Sequence, residues 1–169
     1  TVTIPSGFWA DQMVWAPEVH RHQGKYYLFV TFTAKETFGT SSEGMPLKKR
    51  GTQILVADAA TGPFRPCRDG PHTPPDWMAL DGTLWVEDGV PWMIFCHEWV
   101  QITDGTMELV RLKEDLSGTV GDPITLFRAT DAPWVKSLKD LGGQVHGYIT
   151  DGPFPVSYTH LTLPTKRIV

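Results

Sequence analysis

Two stretches of this chain read as the same hairpin, 65 residues apart. Setting Gly24 on Gly89 lays His20-Arg-His-Gln-Gly-Lys-Tyr-Tyr-Leu-Phe over Trp85-Val-Glu-Asp-Gly-Val-Pro-Trp-Met-Ile. In that register Ala16-Pro17 falls on Asp81-Gly82, and a further Asp-Gly pair that opens a strand-like segment, Asp151-Gly152, stands 70 residues beyond Asp81. This period is too long for short solenoid units and long enough for sheets of several strands. It constrains the chain to β-propeller blades. Carboxylates at equivalent places of successive blades converge on one axis. The repeat is therefore also a chemical expectation: Asp81 and Asp151 share a site.

The local patterns agree with an all-β chain. Gly24 to Thr33 is dense in aromatic and β-branched residues without a helical stripe, and reads as a strand. Thr52 to Ala57 is another, stopped by Thr61-Gly62-Pro63. Leu84 to Val86 and Pro91 to Cys96 flank Asp88-Gly89, a two-residue hairpin signal. Met107 to Leu112 and Ile124 to Phe127 are further strands, and Ser137 to Leu141 is a helical turn. One blade is expected from about Trp15 to Phe64 and a second from Asp81 to about Phe127. A third begins near Tyr148, and Thr1 to Met13 closes an earlier one. Asp69 to Trp77, rich in proline, connects two blades.

Composition narrows the function. Net charge is −4, and no basic run stands out beyond Lys48-Lys-Arg50, which reads as a solvated loop. That excludes nucleic acid as a partner. No apolar stretch is long enough to span a membrane as a helix. Cys67 and Cys96 are too few for a disulfide framework and lack metal-ligand spacing, so both read as free thiols. Seven tryptophans suit sugar-binding clefts and β cores alike.

Phe8-Trp-Ala-Asp-Gln-Met-Val-Trp-Ala-Pro-Glu-Val19, followed by Gly24-Lys-Tyr-Tyr27, resembles the entry to the second blade of glycoside hydrolase family 43. Asp58 to Phe64 resembles that blade's closing turn. Leu80-Asp-Gly-Thr-Leu84 with Asp88-Gly89 and Pro91-Trp92 resembles the third blade, and Thr150-Asp-Gly-Pro-Phe154 the start of the fourth. The resemblance implies a five-bladed β-propeller with a funnel-shaped sugar site on its axis. This chain would hold the end of blade 1, blades 2 and 3, and the start of blade 4. It also implies inverting hydrolysis of β-xylosides, α-L-arabinofuranosides or arabinans, and a secreted or periplasmic protein. No cofactor is required, although an axial calcium ion occurs in the family.

An inverting glycosidase needs a general base and a general acid with carboxyls roughly 6.5–9.5 Å apart. The acid must keep its proton near neutral pH, through burial or a nearby negative charge. By the resemblance, Asp81 is the carboxylate that tunes and orients the acid, and Asp151 is the acid itself. The family's commoner acid is glutamate, one methylene longer. Glu98, at the end of an inner strand, is the rival acid. The base belongs to a first-blade strand that would precede Thr1, and Asp11 does not fit its place. Trp15, His97 and Trp99 are expected to line the funnel, while Glu18 reads as a structural hydrogen-bonding residue. The missing base leaves a non-catalytic carbohydrate-binding propeller as the alternative function, and makes the chain by itself an expected inactive part of its parent enzyme.

Val156 to Thr165, back-translated, resembles a sequencing-adapter read-through. Residues 1–154 are therefore expected to form the partial propeller domain, and 155–169 a non-native tail.

Overall fold

The computed structural model describes residues 1–157, so most of the expected adapter tail lies outside the described residues. Residues 155–157 have no regular structure. The described chain is all-β, built on two four-stranded antiparallel sheets. The first contains β1 (Val14–His22), β2 (Lys25–Thr40), β3 (Pro46–Ala57) and β4 (Arg65–Pro66), in that spatial order. The second contains β5 (Ala79–Glu87), β6 (Val90–His97), β7 (Thr106–Leu112) and β8 (Thr119–Arg128), again in chain order. This up-and-down order in each sheet is the blade of a propeller.

The 65-residue register holds at the level of backbone angles. Gln23 and Gly24 have φ of 45° and 80°, and their counterparts Asp88 and Gly89 have 50° and 78°. Both pairs turn the chain between an inner strand and its neighbour with the positive angles that type I′ turns need. Ala16 (φ 44°) and Asp81 (φ 56°) are counterparts too. Each sits where pairing slips, between Trp15 and Glu18 in β1 and between Leu80 and Thr83 in β5. The inner strand of each blade therefore carries the same bulge, which bends the strand and re-aims one side chain.

The third copy enters in the same way. Met78 bridges Arg50 in parallel, three residues before Asp81, and Tyr148 bridges Asp104 in parallel, three residues before Asp151. The expected turn at Ser137–Leu141 forms, with the Leu141 amide donating to the Ser137 carbonyl.

From Tyr27 to Ala34 β2 is buried on both faces, as a strand inside a stack of sheets must be, while Lys35 to Thr40 are exposed. Tyr27 and Phe29 pack with Ile54, Ala79, Met93, Phe95 and Leu112, in a core shared by the two blades. The alternate residues Leu28, Val30 and Phe32 pack with Leu55, Phe64 and the N-terminal Phe8 and Trp9 on the opposite face. Residues 1–13 contribute no strand beyond the single bridge of Val2 to Phe64. At the other end, β8 and the segment after it leave Ile124, Leu126, Phe127 and Trp134 exposed.

One sequence expectation fails here. Lys48-Lys-Arg50 is not a solvated loop but part of β3, because β2 and β3 continue past Thr33 as a long hairpin. Register then points Arg50 inward, and it is 6% exposed.

Candidate active site

Asp81 takes its place from the bulge. With φ at 56° it occupies the left-handed region, which Asp tolerates better than most side chains. Blade 2 secures this conformation: the Asp81 amide donates to Thr31 Oγ1 (2.8 Å) and the Gly82 amide to Thr52 Oγ1 (2.9 Å). Gly82 has no room for a side chain, since a Cβ would stand 2.7 Å from Thr52 Cγ2 and 2.9 Å from Met93 Sδ. The bulged strand is thus pressed onto its neighbour, and the Asp81 carboxyl emerges at the blade's inner edge.

Asp151 arrives from the next repeat. Thr150 Oγ1 donates to the Thr106 carbonyl (3.1 Å), tying this segment to β7. The Gly152 amide donates to Asp151 Oδ1 (2.9 Å). The carboxyls of Asp81 and Asp151 lie within hydrogen-bond reach of one another. Together with Trp15, Leu80, Glu98, Trp99, Ile149 and Thr150 they line a cavity of about 360 Å³.

A neighbouring carboxylate disfavours ionisation of Asp81, which therefore keeps its proton to higher pH than a free aspartate. Burial is the largest cause of the shift at Asp81, followed by Asp151 and then by Glu98 and Glu18. Together they push its carboxyl from 3.8 to about 6. Burial also raises the Glu98 carboxyl, while the Arg50 guanidinium opposes that rise.

Glu98 is in the cavity but not free. Arg50 Nη1 donates to Glu98 Oε2 at 2.5 Å, with both side chains largely buried. Arg50 Nε donates to Thr33 Oγ1 (3.0 Å), and the guanidinium lies 4.4 Å from the centre of the Trp15 ring. Trp99 opens the short helix α1 (Trp99–Ile102) and stands against Gly147, where any Cβ would collide with the indole.

His97 does not join this group. Side chains alternate along a strand, so Cys96, which contacts Thr150, and Glu98 share one side while His97 takes the other. Its ring stacks on Trp77 at 4.0 Å and 10°, Nε2 donates to Gln101 Oε1 (2.9 Å), and the residue is 7% exposed. Glu18 has the structural place expected of it: Oε2 accepts from Thr83 Oγ1 (2.7 Å) and pairs with His20 Nε2 (2.8 Å), joining β1 to β5. Asp11 is turned outward, its Oδ1 accepting from the Lys35 amide (2.9 Å). Among the described residues no cluster of three or more His, Cys, Asp or Glu side chains could hold a metal ion.

Arg50 is the site residue that sequence reasoning missed. Its basic neighbours suggested a solvated run, yet β3 is buried continuously from Arg50 to Leu55, so extending the strand Thr52–Ala57 back by two residues would have brought Arg50 into its buried part.

The bulged strand β5 and the segment of the next repeat bring two carboxyls to one cavity flanked by indoles, on a β-propeller scaffold. The chain belongs to glycosyl hydrolases family 43, whose model matches residues 2–157. Among solved structures it is similar to an endo-arabinase from Bacteroides thetaiotaomicron, with 44% identity and a TM-score of 0.77, over 89% of this chain and 49% of that one. A thermostable family-43 glycoside hydrolase shares the fold at 18% identity and a TM-score of 0.56, over 71% of this chain and 36% of that one. No curated protein matches. The chain spans about half the length of the endo-arabinase it matches, and the propeller of this family is five-bladed.

Proposed function

We propose that the complete protein is an inverting glycoside hydrolase of arabinose-containing polysaccharides or oligosaccharides, with Asp151 as general acid and Asp81 as the carboxylate that tunes it. The observation that carries this reading is the contact of the two carboxyls in one cavity. They are too close to flank a glycosidic bond as acid and base, or as acid and nucleophile, which need roughly 5 Å or more. They suit a single acid unit instead. Asp81, deeper and fixed by its backbone, holds its proton up to about pH 6. Asp151, nearer solvent, presents it to the leaving oxygen.

Trp15 and Trp99 give apolar walls on which sugar rings can stack. Glu98, held by Arg50, is less suited to donate a proton to substrate. The general base is assigned to none of the described residues. Arabinose rather than xylose follows the 44% identity to the endo-arabinase.

The test is hydrolysis of linear arabinan, an aryl α-L-arabinofuranoside and an aryl β-xyloside by the complete protein. Asp151→Asn should lower turnover on the arabinosides by roughly 10²–10⁴-fold. An unchanged rate removes Asp151 as the acid, and cleavage of the xyloside alone removes arabinose.

A further inference from the structure

We propose that Arg50 is a positioning residue of this cavity, one guanidinium that pairs with Glu98 and supports the Trp15 indole from behind as a sugar platform. The inference rests on the sugar-site reading above and goes beyond it in assigning how the platform is held. Arg50 is 6% exposed, and three contacts fix it: Glu98 Oε2 at 2.5 Å, Thr33 Oγ1 at 3.0 Å and the Trp15 ring at 4.4 Å. Those contacts come from three separate parts of the fold: β1, β2 and the segment after β6. A planar guanidinium can pair through its edge and stack through its face at once, which an ammonium cannot.

Trp15 needs such support. It precedes the bulge residue Ala16 and is 38% exposed, so its own strand does not enclose it. Glu98 shares the cavity with Asp81 from β5 and Asp151 from the following repeat, and Arg50 is the charged group that acts on its carboxyl. Arg50 is thus the cation paired with Glu98 in a cavity that also holds the Asp81 and Asp151 carboxyls.

The experiment follows Glu98 by carboxyl ¹³C NMR across pH and arabino-oligosaccharide binding by tryptophan fluorescence, in the 169-residue chain. Arg50→Gln should raise the Glu98 midpoint, since the opposing cation is gone, and weaken oligosaccharide binding about tenfold. Arg50→Lys should return the midpoint toward wild type, since the charge is back, but leave binding weak because the stack is not. If Arg50→Gln does not fold, Arg50→Gln combined with Glu98→Gln removes both buried charges and should fold while still binding weakly. An unmoved Glu98 midpoint, or binding by the Lys and double variants as tight as wild type, overturns the proposal. A wild-type chain that binds no arabino-oligosaccharide overturns the sugar-site reading instead, and the Glu98 midpoint then decides for Arg50.

Discussion

Replacing Asp81 by Asn should stabilise the folded chain at neutral pH while damaging its chemistry. Asn tolerates the left-handed φ of 56° at this position, so the backbone and its hydrogen bonds to Thr31 and Thr52 survive. What changes is the charge. The Asp81 carboxyl sits near 3.8 in the unfolded chain and is pushed to about 6 in the folded one, mainly by burial and then by Asp151. A raised carboxyl pKa means that the folded state binds the proton more tightly. Its stabilising effect is therefore complete below the unfolded value and is lost as pH rises toward 6. Above that, ionised Asp81 opposes folding. Two pH units correspond to about 3 kcal/mol at most. The cavity is open to solvent, and screening cuts this to about 1 kcal/mol. Asn carries no such penalty, so its gain should appear as about 2–4 °C in Tm at pH 7.5 and vanish near pH 4. Thermal unfolding at the two pH values reads both numbers. Equal melting of the two chains at pH 7.5, or a loss in the variant at both pH values, would refute the account of Asp81.

Two other substitutions separate cavity residues from their neighbours. Gly147→Ala should displace the Trp99 indole against which it packs, costing about 1–3 kcal/mol and shifting tryptophan emission, whereas an unmoved spectrum would mean that Trp99 is not fixed there. His97→Ala should cost about 1–3 kcal/mol of stability through the lost Trp77 stack and Gln101 hydrogen bond yet leave arabino-oligosaccharide affinity unchanged by calorimetry. A weakened affinity would place His97 among the contacts to sugar.

The fold was legible in the sequence because the repeat has two independent signals. The paired turns at Gln23-Gly24 and Asp88-Gly89 mark one end of each inner strand, and the Ala16/Asp81 position marks the other. Two such marks fix a register without knowledge of side-chain contacts. The convergence of Asp81 and Asp151 followed from the same register. What lay beyond reach was anything set by strand extension or by alternation at a strand end. The β2–β3 hairpin continues past Thr33 because Thr37, Gly39 and Thr40 still pair with Lys48, Leu47 and Pro46 across irregular register. A run of three basic residues hides that. His97 was harder to read: adjacent residues at a strand end face opposite ways, so closeness in sequence to Glu98 did not bring it to the cavity, whereas Trp99, past the strand end in α1, does line it. β4, two residues long, is held by pairing with Leu55 and Val56 rather than by its own composition, Arg65-Pro66.

The central claim is that Asp81 and Asp151 form one acid unit. Carboxyl ¹³C NMR titration of the chain and of Asp151→Asn tests it most directly. The account predicts an Asp81 midpoint of about 6 in the wild type that moves down when the Asp151 charge is removed, since a like charge within contact raises a carboxyl. An Asp81 carboxyl that titrates near 3.8 in both chains, or whose midpoint ignores the loss of Asp151, would contradict it.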